Sequence, residues 1–251
     1  MPGAGKCSNS IEMSALRLRQ RGAVLLILVG VLSMGAAAVF LSAANRNTLD
    51  LREQARTLVQ LREAREAIFG FALTHGRLPR PAISASNGSE SPTPCTTEES
   101  CSGWLPWVTL GITATDAWGK QLRYRATAVL TTAPVLRNSA VANKVIIGRD
   151  ANGNEYFAEG ETNCTLKHQC VAAVIVSFGK YNFGASEVGI AQVNASGSNA
   201  DEMVNATSST RFVRRQLSKD PYVRGGEYDD LVVSIGYDNL IARMNRSGVL
   251  P

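Results

Sequence analysis

An uncharged apolar run near the N-terminus is the feature that most constrains this chain. From Ala23 to Ala44 the sequence reads AVLLILVGVLSMGAAAVFLSAA, without a charged residue. At the rise of an α-helix these 22 residues extend about 33 Å, which is enough to cross a hydrocarbon core of about 30 Å. A secretory signal usually has an apolar core of only about 7–15 residues. The run therefore predicts a membrane anchor, and secretion after a small-residue cleavage site at Ala44 is the alternative.

The charges that flank this run predict its orientation. Four basic residues precede it: Lys6, Arg17, Arg19 and Arg21. Glu12 is the one acidic residue before the run, and the segment NRNTLDLREQAR after it is mixed in sign. By the positive-inside rule, the N-terminus stays in the cytoplasm and residues 45–251 cross the membrane.

The helical pattern continues beyond the apolar run. Apolar residues recur at three- and four-residue steps from Leu51 to Ala72, with charged residues on the other faces. Pro79 and Pro81, in THGRLPRP, predict the end of the helix. We predict one helix from about Ala23 to His75, half in lipid and half in a soluble domain. The alternative is an anchor, a short break and a separate amphipathic helix.

The cysteines predict disulfide bonds. One cysteine precedes the apolar run and four follow it, in two local pairs, CTTEESC and CTLKHQC. Neither pair has the two-residue gap that a zinc site favours. Four cysteines beyond an export segment are typical of disulfides in an oxidising compartment. We predict the pairs Cys95–Cys101 and Cys164–Cys170, although four cysteines allow three pairings.

Strand patterns follow the predicted helix. The candidate strands are Lys120–Leu130, Lys144–Asp150, Asn154–Gly160, Val171–Gly179 and Tyr228–Gly236. The Asn-Gly pair in DANGNEYF predicts a tight hairpin. In DAWGKQLRY we predict a turn capped by Asp116, with Gly119 at the bend. Because strands follow one helix without alternating helices, we predict an α+β fold in which the long helix packs on one antiparallel sheet.

Neither enzyme chemistry nor nucleic-acid binding finds support in the sequence. The net charge is +5 and the pI is about 9.1, but no basic block with interleaved aromatics occurs. The two histidines, His75 and His168, stand beside no nucleophile motif. Asp229 and Asp230 are adjacent in a predicted strand, so their side chains are expected on opposite faces. We predict a non-enzymatic protein that does not bind nucleic acid.

Four stretches of the chain together resemble the type IV pilin and type II secretion pseudopilin superfamily. The first is the basic leader ending in RQRG, directly before the apolar run. The others are GRLPRP after the predicted helix, GWLPWVTLGITATDAWGKQLRYR in the middle, and EYDDLVVSIGYDNLIARMNRSGVLP at the end. The resemblance implies that prepilin peptidase cuts after Gly22 and that the new N-terminal residue, Ala23, is methylated.

The resemblance also implies an organisation and a set of partners. Its four parts are a basic cytoplasmic leader (residues 1–22), a transmembrane part of the helix (23–44), a periplasmic part of the helix (45–75) and a periplasmic α+β domain (76–251). Other pilin or pseudopilin subunits, the peptidase and inner-membrane lipid are the expected partners. Most members carry a glutamate where this chain has Ile27, which favours a minor or atypical subunit. The rival reading is a tethered periplasmic binding or sensor domain that never assembles.

Calcium is the one cofactor that the sequence suggests. Some pseudopilins that this chain resembles bind calcium in the loop before the last strand. The corresponding candidates here are Asp201, Glu202, Asn205, Asp229 and Asp230. A second set of oxygen donors in RDANGNEYF resembles half an EF-hand loop, but we favour a hairpin turn there.

Overall fold

The computed structural model describes residues 12–250, and it describes side-chain surroundings for residues 24–36 and 48–250. The chain divides into a unit that ends at Arg52 and a unit that begins at Glu53. The helices are α1 (Glu12–His75), α2 (Trp107–Leu110), α3 (Ala200–Thr207) and α4 (Tyr237–Arg246), with a short 3₁₀ helix at Ala128–Thr131. The strands are β1 (Ser102–Trp104), β2 (Arg123–Ala126), β3 (Val145–Arg149), β4 (Glu155–Glu159), β5 (Val171–Ser177), β6 (Arg211–Val213) and β7 (Leu231–Gly236).

The first unit presents an exposed apolar helix surface. Large apolar side chains of residues 24–36 are between 54% exposed, at Leu28, and 76% exposed, at Met34. In the part of the chain whose side chains are described, no helix is long and apolar enough to span a membrane. The predicted fold, in which half of the long helix is transmembrane, is therefore wrong for the described residues.

The C-terminal part of α1 forms one side of the main core. Its buried residues follow helical spacing: Leu61, Ala64, Ile68 and Ala72. They share a cluster with Tyr124 of β2, Ile175 of β5 and Leu240 of α4. The helix ends where Gly76, at a φ of 67°, donates its N–H to the carbonyl of Ala72. A left-handed glycine at this position is a common helix stop, because other residues are strained there.

The strands form two sheets. The first is antiparallel throughout, in the order β1-β2-β5-β7, and the second has the order β4-β3-β6. In the second sheet β3 and β4 are antiparallel, whereas β3 and β6 are parallel. The prediction of one antiparallel sheet is therefore wrong. After β3 the chain passes through β4, β5 and α3 before it returns beside β3, and so long a crossover permits a parallel pair.

Strand β5 lies between the two apolar layers of the second unit. All seven of its residues are buried. Ala173 and Ile175 belong to the cluster that contains α1, while Val174 and Val176 pack with Ile146 of β3 and with β6. A strand that is apolar on both faces needs a covering layer on each side. The second sheet supplies the layer opposite α1.

The predicted disulfide bonds are confirmed. Cys95 is bonded to Cys101, with their Cα atoms 5.2 Å apart. Cys164 is bonded to Cys170, with their Cα atoms 5.6 Å apart. The first bond is buried beside Ala128. The second closes a loop in the connection from β4 to β5. Each bond thus ties together a segment that has little regular secondary structure.

Candidate functional site

Three carboxylates meet where α3 faces the start of β7. Glu202 lies in the first turn of α3, and Asp229 and Asp230 directly precede β7. One oxygen from each of the three carboxylates lies within 4.8 Å of the others. We call Glu202, Asp229 and Asp230 the acidic cluster. The expectation that Asp229 and Asp230 point to opposite faces is wrong, because they lie in the loop before the strand, where strand alternation does not apply.

Amide groups hold the Glu202 carboxylate in place. Glu202 is 1% exposed, and its Oε1 accepts a hydrogen bond from the backbone N–H of Asp229 at 2.8 Å. Its Oε2 accepts from the side-chain amides of Asn199 at 2.7 Å and Asn182 at 3.1 Å. Both Glu202 oxygens are therefore oriented by neutral donors, which do not cancel the carboxylate's charge.

The two aspartates each keep one oxygen without a partner. The Asp229 Oδ2 accepts from the backbone N–H groups of Lys180 and Tyr181, both at 2.8 Å. The Asp230 Oδ2 accepts from Asn205 Nδ2 at 2.8 Å. The Oδ1 atoms of Asp229 and Asp230 are buried and have no hydrogen-bond partner among the described residues. A buried acceptor without a donor is unfavourable unless another group satisfies it.

Burial also changes the charge state of the acidic cluster. Burial, together with the nearby charge of Glu202 and against hydrogen bonding from Tyr181, raises the pKa of Asp229 to about 7. Burial and the charge of Glu202 raise the pKa of Asp230 well above its usual value. Crowded, desolvated carboxylates resist holding several negative charges at once. The acidic cluster therefore favours a proton or a cation.

The buried ammonium group of Lys120 interacts electrostatically with the carboxylates of the acidic cluster. Its Nζ donates to the backbone carbonyls of Tyr181 and Asn182 at 2.7 Å and of Phe178 at 3.3 Å. Burial lowers the pKa of Lys120, although the negative charges of Asp229 and Asp116 oppose this shift. The single positive charge of Lys120 therefore interacts with four carboxylates, those of the acidic cluster and of Asp116.

The turn that carries Lys120 has the predicted geometry. The Asp116 Oδ1 accepts from the backbone N–H groups of Trp118 and Lys120, both at 2.9 Å. Gly119 adopts a φ of 76°, which favours glycine. Sequence reasoning found this turn but missed the role of Lys120. A lysine in a Gly-containing turn carries no signal that its ammonium group is buried.

The oxygen donors of the acidic cluster fit a hard divalent cation. Carboxylate oxygens are the ligands that calcium prefers, and they lie close enough together to share one ion. Of the four predicted acidic ligands, the structure brings three together. Asp201 is not part of the acidic cluster, because its carboxylate accepts hydrogen bonds from Arg149 and Arg215 instead. Asn205 contacts the edge of the cluster through Asp230.

The second candidate calcium loop is a turn in the structure. The Asp150 Oδ1 accepts from the backbone N–H groups of Asn152 at 2.9 Å and Asn154 at 2.8 Å. These bonds use the carboxylate to cap the connection from β3 to β4, as we expected for a hairpin turn. The predicted processing residues Gly22 and Ala23 lie within α1, but their side chains are outside the described part.

Comparisons with known proteins give no relative for this chain. No protein-family model, no curated protein and no solved structure matches it.

Proposed function

We propose that this chain is a pilin-like structural subunit of a type II secretion pseudopilus or a type IV pilus. The observation that carries the proposal is the exposed apolar surface of residues 24–36, directly after the predicted processing site at Gly22. An apolar surface of this extent needs cover from lipid or from neighbouring helices. In such a subunit, lipid would cover this surface while the chain is held in the membrane, and helices of other subunits would cover it after assembly.

The rest of the chain supports this proposal less directly. The unit that begins at Glu53 has its own core and two disulfide bonds, which suit an oxidising compartment. In the proposal, the uncharged run holds the chain in the inner membrane, with the N-terminus cytoplasmic and residues 76–251 periplasmic. Ile27 is 66% exposed and cannot make the charge contact that a glutamate would make there. We therefore propose a minor or atypical subunit.

The N-terminal residue and intact mass of the mature protein test this proposal. We expect a chain that begins at methylated Ala23, and we expect Gly22→Leu to remain uncleaved because a bulky residue replaces the small one. Gly30→Leu is the matched control, because the space beside Gly30 is open and it lies beyond the cleavage point. A mature chain that begins at Asn45 would indicate plain secretion. An intact wild-type leader would indicate the tethered domain instead.

We also propose that the acidic cluster binds calcium. The two buried, unpartnered carboxylate oxygens favour this second assignment. Calorimetric titration of the full chain in detergent with calcium chloride should give a saturable signal with about one ion bound. Asp230→Asn should abolish it, and Asp238→Asn, at an exposed site on α4, should not. Absence of heat from the wild-type protein, with no calcium-dependent shift in melting temperature, contradicts the assignment.

A further inference from the structure

A cleft lined by arginines lies on the second sheet, and none of the three acidic-cluster residues lines it. It has a volume of about 730 Å³ and is formed by the turn from β3 to β4 together with the segment of residues 214–224. Its principal lining residues are Arg149, Tyr156, Arg214, Arg215, Leu217 and Arg224. We call it the arginine cleft.

One buried carboxylate serves two of these arginines. Asp201, whose side chain is 2% exposed, accepts from the Nε and Nη2 of Arg149 at 2.7 and 2.6 Å. It also accepts from the Nε of Arg215 at 2.6 Å. Arg149 meets Glu155 at 3.2 Å, but Glu155 is 44% exposed and also pairs with Arg211 at 2.5 Å. These pairings fix both guanidinium groups and leave excess positive charge at this end of the cleft.

The other two arginines keep donors for a ligand. The Nη2 of Arg214 pairs with Glu159 at 2.7 Å, and the Nη1 of Arg224 donates to Asn154 Oδ1 at 3.2 Å. Their remaining nitrogens make no hydrogen bond within the described part of the chain. Asp150 is the one acidic residue that lines the cleft, and its carboxylate already caps the adjoining turn. The cleft therefore presents guanidinium nitrogens that make no hydrogen bond within the described residues, and Asp150 is the one lining carboxylate, which attracts Arg224.

The lining also determines which anion fits best. Tyr156 is 53% exposed, and Leu217 and Val223 are each 39% exposed, so apolar surface lies beside the arginines. Guanidinium groups bind carboxylates with two parallel hydrogen bonds. Glu155 and Glu159 close by would repel a polyanion such as nucleic acid. These features favour the spaced carboxylates of a peptide, next to an apolar side chain, over a densely charged polyanion.

We propose that the arginine cleft binds an acidic peptide segment of a partner protein, with its carboxylate on Arg214 and Arg224 and an apolar side chain against Tyr156. This inference does not depend on processing or filament assembly. An unassembled chain would bind the segment equally well. Failure of peptide binding would therefore leave the pilin-like proposal intact. Failure of the processing test would likewise leave the peptide-binding proposal intact.

Fluorescence anisotropy of a labelled hexapeptide, Ala-Asp-Phe-Glu-Leu-Ala, added to the full chain in neutral detergent tests the proposal. We expect saturable binding that weakens with salt, because the contact is charged. The Asn/Gln version of the peptide should bind about ten-fold more weakly or worse, and so should the double variant Arg214→Gln/Arg224→Gln. Arg224→Gln alone, at an exposed position, should weaken binding measurably if the double variant does not fold.

Arg137→Gln/Lys167→Gln is the charge-matched control. Both residues are exposed and line a different cleft, beside α4. This control should bind the peptide as the wild type does. Equal binding of the amide peptide, equal weakening in the control, or no saturation with the acidic peptide overturns the proposal. Tighter binding of a single-stranded DNA hexamer than of the peptide overturns it as well, in favour of a nucleic-acid site.

Discussion

At the scale of single residues, burial governs the charge state of Asp229 and Asp230. It is the largest influence on the pKa of each, and it acts in the same direction as the neighbouring Glu202 carboxylate. Hydrogen bonds from backbone and amide donors oppose burial but do not overcome it. The positive charge of Lys120 interacts with Asp116 as well as with the acidic cluster. Desolvation and mutual repulsion therefore destabilise the fully ionised acidic cluster, and a proton or a bound cation would reduce this destabilisation.

The raised pKa of Asp229 predicts that the stability of the folded protein depends on pH. The folded protein holds a proton on Asp229 up to a pKa of about 7, whereas the unfolded chain releases it near 3.8. The folded state therefore binds more protons between these values, and the free energy of unfolding falls as pH rises through this window. Without calcium, we expect the free energy of unfolding in urea to be on the order of 2 kcal/mol lower at pH 8 than at pH 5.

Asp229→Asn should remove much of this dependence, because the substituted amide does not titrate. The matched control is Glu187→Gln, which removes an exposed carboxylate and should leave the dependence unchanged. Stability that rises between pH 5 and pH 8 in the calcium-free wild type would contradict a protonated acidic cluster.

At the scale of elements, one side chain of α3 forms hydrogen bonds with the backbone of β6. Asn205 is fully buried, and its Oδ1 accepts from the backbone N–H of Val213 at 2.7 Å. Its Nδ2 donates to the carbonyl of Val213 at 3.0 Å and to Asp230 at 2.8 Å. The amide thus imitates a neighbouring strand, and it joins α3, β6 and the loop before β7.

Asn205→Ala should destabilise the fold strongly, by about 2–4 kcal/mol in urea unfolding, because it leaves buried backbone and carboxylate groups without partners. Met203→Ala is the control in the same helix, since Met203 is 42% exposed. It should change the free energy of unfolding by less than about 1 kcal/mol. Similar losses in both variants would mean that α3 matters through helix stability and not through the Asn205 amide.

At the scale of the whole molecule, the unit that begins at Glu53 has three layers. The C-terminal part of α1, the antiparallel sheet and the mixed sheet are stacked so that β5 is covered on both faces. The acidic cluster lies where α3, which follows β5 in the chain, meets the start of β7, and the arginine cleft lies on the outer sheet. Both sites depend on the second sheet or on its connections, and neither would exist in the single-sheet fold that we predicted.

Some features of this protein could be predicted from local sequence alone. The five predicted strand regions contain β2, β3, β4, β5 and β7, because each has enough apolar or β-branched residues to show a pattern. The turns at Asp116 and Asp150 and the disulfide pairs were also predictable, because turn residues and nearby cysteines interact over a few positions. Strands β1 and β6 were missed, since three residues are too few for a periodicity.

What local sequence could not determine depends on distant contacts. The continuous apolar run of β5 indicates burial on both faces, but not whether a helix or a second sheet covers each face. The resemblance to pseudopilins suggested Asp201, Glu202, Asp229 and Asp230 together, yet the structure groups three of them and pairs Asp201 with arginines. Lys120, which interacts with this cluster, is about a hundred residues away from it in the chain. Only the packing of the layers determined which charges meet, because the energy of a buried charge depends on its neighbours in space and not in sequence.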